Sequence, residues 1–210
     1  MKVVIFTAHD TAYAEMADVT RPTLERYATK HGYELVYDPN VPEQEKDACK
    51  ARIFGELYRS GEYGPDDIAM WIDTDALIMN SEVKPLPMWN SEHFVWSYDW
   101  NGPNSGVWIA RFSSQAMHFI QTYDYLARAM GWGDNWAMNQ TMLLPPFNGW
   151  VTCHPGKTMN CNLYDAHGMG DWAHKNSINN YEPGDFILHL AGVEHSLRME
   201  LLRKYAALAK

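Results

Sequence analysis

Two carboxylates, Asp73 and Asp75, stand between two apolar runs, Ile68-Ala69-Met70-Trp71-Ile72 before them and Ala76-Leu77-Ile78-Met79 after them. A short run of that composition reads as a strand buried on both faces, as in parallel sheets. Residues two apart on an extended chain point the same way, so the two acids project together beyond the carboxyl end of the strand. Ligands gather at that edge of an open α/β sheet. Close carboxylates repel unless a cation sits between them or one keeps its proton. Mn²⁺ or Mg²⁺ accepts such oxygen ligands and completes its shell with substrate phosphates.

The flanking sequence predicts the sheet that this strand needs. Val3 to Ala8 is a continuous apolar run. A helix is expected from about Thr20, with Thr20 as its cap, Pro22 in its first turn and Gly32 as its stop. Glu34 to Tyr37 reads as a second strand, Asp47 to Ser60 as a second helix ended by Gly61, and Ile68 to Ile72 as the third strand. Strand and helix thus alternate, which predicts an α/β fold with a mainly parallel sheet flanked by helices.

The later chain is less regular. Phe94–Tyr98 and Val107–Ala110 read as strands, and Ser113–Met130 and Asn135–Leu144 as helices. Asn148 to Gly184 has weak periodicity and reads as functional loops. Phe186–His189 is expected as a short strand and the tail from Glu194 as a helix. With 210 residues, 46% of them hydrophobic, the chain is expected to form one domain.

A net charge of −9 argues against a general nucleic-acid groove, which needs clustered Lys and Arg. A phosphorylated ligand would need a screening cation here. Cys49, Cys153 and Cys161 make no disulfide framework and read as reduced thiols in a cytoplasmic protein. No run is long and apolar enough to span a membrane. Most of the nine Trp and twelve Tyr are expected in the core. Ring faces also stack on sugars, and Trp132, Trp136, Trp150 and Trp172 all fall in the second half of the chain.

The segment Met70-Trp71-Ile72-Asp73-Thr74-Asp75-Ala76-Leu77-Ile78-Met79-Asn80 resembles the DxD segment of the galactosyl-, mannosyl- and xylosyltransferases grouped around galactomannan galactosyltransferase and xyloglucan xylosyltransferase. Tyr27-Ala28-Thr29-Lys30-His31-Gly32-Tyr33, Lys50, Asn104-Ser105-Gly106-Val107-Trp108-Ile109-Ala110-Arg111 and Gly184-Asp185-Phe186-Ile187-Leu188-His189-Leu190-Ala191-Gly192 are similar to further family segments, in the family's order. The resemblance implies a GT-A fold and Mn²⁺-dependent sugar transfer with retention of configuration, with a nucleotide-binding half at about 1–80 and a donor-sugar and acceptor half at about 81–210, where Trp132, Trp136, Trp150 and Trp172 are candidates to stack on the acceptor. It also implies a UDP-sugar donor, with GDP-mannose used by some relatives. The chain departs from the family in having Asn139-Gln140 where Asp-Gln is usual. It also lacks the membrane anchor and stem of eukaryotic members, which suggests a bacterial or viral setting.

On that resemblance Asp73, Asp75 and His189 are the expected metal ligands. Thr7, Ala8 and His9 end the first strand, where base or ribose is expected. Lys50 is expected at the phosphates or nucleotide, and Asn104, Ser105 and Gly106 beside the donor sugar, Gly106 letting it approach the backbone. Gln140 is placed near the anomeric carbon and Gly192 at a turn beside the diphosphate, with Asp134 as a substitute for the missing carboxylate. His154, His167 and His174 read as loop residues. The expected mechanism is front-face attack by the acceptor hydroxyl, a diphosphate oxygen taking its proton; the acceptor is a saccharide, a modified base or another small hydroxyl compound. Two rival readings stay open: a non-catalytic nucleotide- or carbohydrate-binding domain, and a metal-dependent phosphohydrolase. The latter usually needs further clustered acids, and none follows Asp75.

Overall fold

The computed structural model describes residues 1–46, 48–84, 92–99, 102–131, 133–167 and 179–209, the side chains of Asp165 and His167 excepted. Asp47, Trp132, Trp172 and His174 lie outside the described residues. The elements in chain order are β1 (Val3–Ala8), α1 (Ala14–His31), β2 (Glu34–Asp38), α2 (Cys49–Ser60), β3 (Ile68–Ile72), β4 (Ala76–Ile78), β5 (Phe94–Asp99), β6 (Gly102–Arg111), α3 (Ser114–Met130), α4 (Asp134–Leu143), β7 (Val151–Pro155), β8 (Ile187–His189) and α5 (His195–Ala206).

A six-stranded sheet takes the order β2-β1-β3-β6-β5-β7, with strands from both halves of the chain. β1 runs parallel to β2 and β3, and β5 parallel to β7, whereas β6 is antiparallel to both β3 and β5. The carboxyl ends of β1 and β3 therefore lie side by side. Because β6 runs the other way, its first half reaches the same edge, with Ile72 opposite Val107 and the Asp73 amide donating to Gly106 O at 2.8 Å. This one reversed strand brings Asn104, Ser105 and Gly106 beside Asp73.

Aromatic rings fill the space behind that edge. Phe6 packs edge-on against Trp71 and Trp108, each at 5.2 Å between centroids, and Trp108 lies 5.0 Å from Phe94. A second apolar cluster contains Met16, Leu77, Met79, Leu188, Leu190, Val193, Met199 and Leu202. It joins α1 and α5 to the two-stranded antiparallel sheet β4-β8, in which Ala76 pairs with His189. Burying Met199 and Leu202 contributes roughly 1.5–3 kcal/mol each, enough to hold α5 against this sheet.

Four features differ from the sequence reading. α1 begins at Ala14, and Thr20 and Pro22 lie inside it. Its buried face extends back through Ala17 to Met16, and the Thr20 hydroxyl donates to Met16 O at 3.2 Å, so packing overrides the cap and proline signals. β6 starts at Gly102 rather than Val107, because Gly102, Pro103 and Asn104 pair with Asp99, Tyr98 and Ser97 of β5 and Gly106 O accepts the Asp73 amide. Val151–Pro155, within the stretch read as loops, is an edge strand on β5. Ala76–Ile78 is a strand that needs β8 as its partner. No helix among the described residues is long and apolar enough to cross a membrane.

Candidate active site

A cleft of about 340 Å³ opens at the carboxyl ends of β1 and β3. Ala8, His9, Asp10, Tyr13 and Val41 line one part of it, and Lys50, Asp73, Asp75, Asp134 and Arg198 another. The turn carrying the two acids is tied down on both sides. The Thr74 hydroxyl donates to Ala8 O at 3.0 Å, and the Leu190 amide donates to Asp75 O at 3.1 Å.

Each acid has one oxygen committed to a cation and the other turned toward His189. Asp73 Oδ1 accepts from Trp71 Nε1 at 2.6 Å and lies 3.1 Å from Lys50 Nζ. Asp73 Oδ2 is 3.9 Å from His189 Nε2. Asp75 Oδ2 accepts from Arg198 Nη1 at 2.8 Å, and Asp75 Oδ1 is 3.0 Å from His189 Nε2. Burial alone would raise the Asp75 carboxyl, but the charges of His189 and Arg198 and the His189 hydrogen bond bring it down to about 2. Burial keeps Asp73 above the ordinary value against the pull of Lys50 and His189, with Asp75 pushing it further up. The His189 imidazole is pushed down by burial and back above its ordinary value by Asp75 and Asp73.

These three residues fit a divalent ion. They offer two carboxylate oxygens and an imidazole nitrogen, all within 4.8 Å of one another. That mixture of hard oxygen and borderline nitrogen donors suits Mn²⁺ better than Mg²⁺.

The other expected residues fall into distinct groups. Ala8 and His9 line the cleft, whereas Thr7 is buried in β1 and does not. His9 is held by Asp10 O at 2.7 Å and the Tyr37 hydroxyl at 2.5 Å. Lys50 lines the cleft, but its ammonium group is engaged by the protein. It lies 2.5 Å from Asp134 Oδ2 and donates to Ser105 O at 3.1 Å and Ser105 Oγ at 3.2 Å. Its paired acids hold its pKa above the ordinary lysine value despite complete burial. Ser105 Oγ donates to Asp134 Oδ2 at 2.8 Å, and Asn104 Oδ1 accepts from the Gly106 amide at 2.8 Å.

The space left by Gly106 is taken by the His189 ring, not opened to the cleft. A Cβ there would lie 2.0 Å from His189 Cε1. Gly192 adopts φ 73° in the turn between His189 and α5. Gln140 is half-buried on α4 and does not line the cleft. The neighbouring Asn139 amide donates to Pro103 O at 3.1 Å and Asn135 O at 2.9 Å. Trp150 packs against Phe147 and His118, whereas Trp136 is 52% exposed on α4. His154 lies on β7.

Arg198 and Asn160 went unnoticed in the sequence. Arg198 sits in an amphipathic helix where an arginine carries no signal of its own. Asn160 lies in the Asn-rich irregular stretch.

The sheet order with its single reversed strand, and a DxD at the end of β3, define the GT-A glycosyltransferase fold. Among solved structures the chain is similar to a glycosyltransferase involved in the glycosylation of the major capsid of PBCV-1, at 18% identity and TM-score 0.71 over 97% of this chain and 100% of that one. It is also similar to glycosyltransferase GlyE of Streptococcus pneumoniae TIGR4, at 16% identity and TM-score 0.60 over 98% of this chain and 61% of that one. A third similar structure is the galactosyltransferase LgtC in complex with donor and acceptor sugar analogues, at 15% identity and TM-score 0.56 over 99% of this chain and 96% of that one. At these identities the likeness is one of fold. No family model and no curated protein matches the sequence.

Proposed function

We propose that this protein is a metal-dependent, retaining glycosyltransferase that moves a hexose or pentose from a nucleotide sugar, UDP-linked, to a hydroxyl acceptor. One observation carries the reading: Asp73 and Asp75 line the cleft at the β1 and β3 ends of a GT-A fold, and the buried His189 offers them a third ligand atom from behind, all three within 4.8 Å. A nucleoside diphosphate would add negative charge to a cleft already lined by Asp73, Asp75 and Asp134. Asp75 and His189 would hold a Mn²⁺ ion, with Asp73 reaching the ion or the donor. When bound, such an ion supplies Lewis-acid stabilisation of the departing diphosphate.

The protein's own groups suit a front-face displacement. Asn139 offers no carboxylate nucleophile, and its amide is spent on Pro103 and Asn135. The acceptor hydroxyl would then attack from the side of the leaving group, its proton passing to a diphosphate oxygen. Retention and the UDP donor rest on the resemblance of the DxD, Asn-Ser-Gly and His-Leu-Ala-Gly segments to the galactosyl-, mannosyl- and xylosyltransferases.

The test is to incubate the purified protein with UDP-hexoses and UDP-pentoses and Mn²⁺. UDP should be released and a glycosylated product detected by mass spectrometry, and EDTA should abolish both. Release of inorganic phosphate instead would make the protein a phosphohydrolase. Donor binding without turnover would make it a binding domain.

A further inference from the structure

Both ring nitrogens of the buried His189 face oxygen atoms. Nε2 is 3.0 Å from Asp75 Oδ1 and 3.9 Å from Asp73 Oδ2, and Nδ1 is 2.8 Å from Asn160 Oδ1. A neutral imidazole has one N–H and one lone pair, and the partner of one nitrogen decides the role of the other. An amide oxygen can only accept. A proton on Nδ1 donated to Asn160 therefore leaves the lone pair on Nε2, the atom that faces the two carboxylates. We propose that Asn160 is a positioning residue for the ion site: its side-chain oxygen holds the Nδ1 proton of His189 and so presents Nε2 as the ligand atom. The inference rests on the reading of Asp73, Asp75 and His189 as a metal site.

The surroundings are built to keep that arrangement. The Asn160 amide donates to Gly156 O at 2.6 Å. The next residue, Cys161, donates to Ile187 O at 2.9 Å and accepts from the His189 amide at 2.7 Å, so Asn160 and His189 are carried on bridged segments. A Cβ at Gly106 would lie 2.8 Å from each ring nitrogen as well as 2.0 Å from Cε1, so this edge of the imidazole lies against the bare Gly106 backbone. A flipped ring would set carbon atoms against Asn160 and the carboxylates. Asn160 is fully buried, and its Nδ2 has no hydrogen-bond partner among the described residues. The interaction its side chain makes is thus the one to the imidazole, and an apolar residue of similar shape deletes that interaction and little else.

Second-shell partners of a histidine ligand are generally worth about 10–100-fold in metal affinity. Mn²⁺ titrations of the full-length protein without donor, followed by electron paramagnetic resonance, should show Asn160→Leu weakened by about that factor. Asn160→Asp, which keeps an acceptor, should bind at least as well as wild type. In a His189→Ala background, Asn160→Leu should cause no further loss. Nitrogen-15 NMR of His189 with the diamagnetic ion Zn²⁺ in place of Mn²⁺ gives a second readout: the Nδ1–H tautomer in the wild type, mixed with Nε2–H in Asn160→Leu. A wild type that binds Mn²⁺ beside an Asn160→Leu variant of equal affinity and unchanged tautomer overturns the proposal alone. A wild type that binds no Mn²⁺ overturns the metal site, and the proposal with it. Should Asn160→Leu fail to fold, a loss of affinity in Asn160→Asp would be the overturning result.

Discussion

Arg198 reaches across the cleft edge to Asp75, 123 residues earlier, and donates to its Oδ2 at 2.8 Å while its Nε and Nη2 grip Val193 O at 2.9 and 2.6 Å. One guanidinium thus joins α5, the turn after β8 and the DxD. The planar fork makes this possible, and an ammonium group could not span the same acceptors. Arg198→Met should leave Asp75 Oδ2 buried without its partner, with only His189 to offset the charge, at a cost of roughly 1–3 kcal/mol, and Arg198→Lys should recover only part of it. Denaturant unfolding of the three proteins checks this. Equal stability of wild type and Arg198→Met would show that the pair adds nothing.

Gly106 is needed by His189 on steric grounds. Gly106→Ala places a Cβ 2.0 Å from His189 Cε1. Overpacking of this kind should cost about 2 kcal/mol and displace the imidazole, lowering Mn²⁺ affinity. Removing the ring relieves the clash, so Gly106→Ala/His189→Ala should be more stable than Gly106→Ala yet no better at binding Mn²⁺. A double variant less stable than the single one would rule out this contact as the cause.

Lys50 lies between Asp73 and Asp134, at 3.1 and 2.5 Å, and is almost wholly buried. Lys50→Met would leave two partly buried acids facing each other without their cation. The expected loss is about 3 kcal/mol, or roughly 6–12 °C in Tm. Adding Asp134→Asn should return part of it, because one of the stranded charges is then gone. Strictly additive Tm losses in the double variant would mean that Lys50 and Asp134 do not act as a pair.

The raised pKa of His189 sets the direction of pH dependence. Proton and metal ion compete for Nε2, so the proton must leave before the ion binds. Burial opposes the charged imidazole, but the Asp75 and Asp73 carboxylates outweigh it and carry the pKa above the ordinary 6.5. Protonated His189 thus persists toward neutral pH, and Mn²⁺ affinity should climb as pH rises through that range. Calorimetry in buffers of different ionisation enthalpy should show proton release on Mn²⁺ binding, larger at the lower pH. Affinity that stays flat with pH would remove His189 from the ligand set.

The local sequence determined what each segment is. Apolar runs marked Val3–Ala8 and Ile68–Ile72 as buried strands, because a strand covered on both faces has no polar side to show. The place of Asp73 and Asp75 directly after the Ile68–Ile72 run put both acids at one sheet edge, although a turn closed by the Ala76 amide on Asp73 O at 3.1 Å, rather than extended chain, carries them there. Tertiary structure decided which distant segments meet there. β4 is too short to be stable alone and exists because β8 pairs with it, which sets Ala76 opposite His189. Gly102–Gly106 lies ahead of the apolar run that marked a strand at Val107–Ala110, and pairing with β5 draws it into β6. The roles of Lys50, Asn160 and Arg198 depend on contacts across 55 positions for Lys50 with Ser105, 29 for Asn160 with His189 and 123 for Arg198 with Asp75, and that of Gly106 on its approach to His189. No periodicity encodes such pairs, because burial and charge compensation act between atoms that only the folded chain brings together.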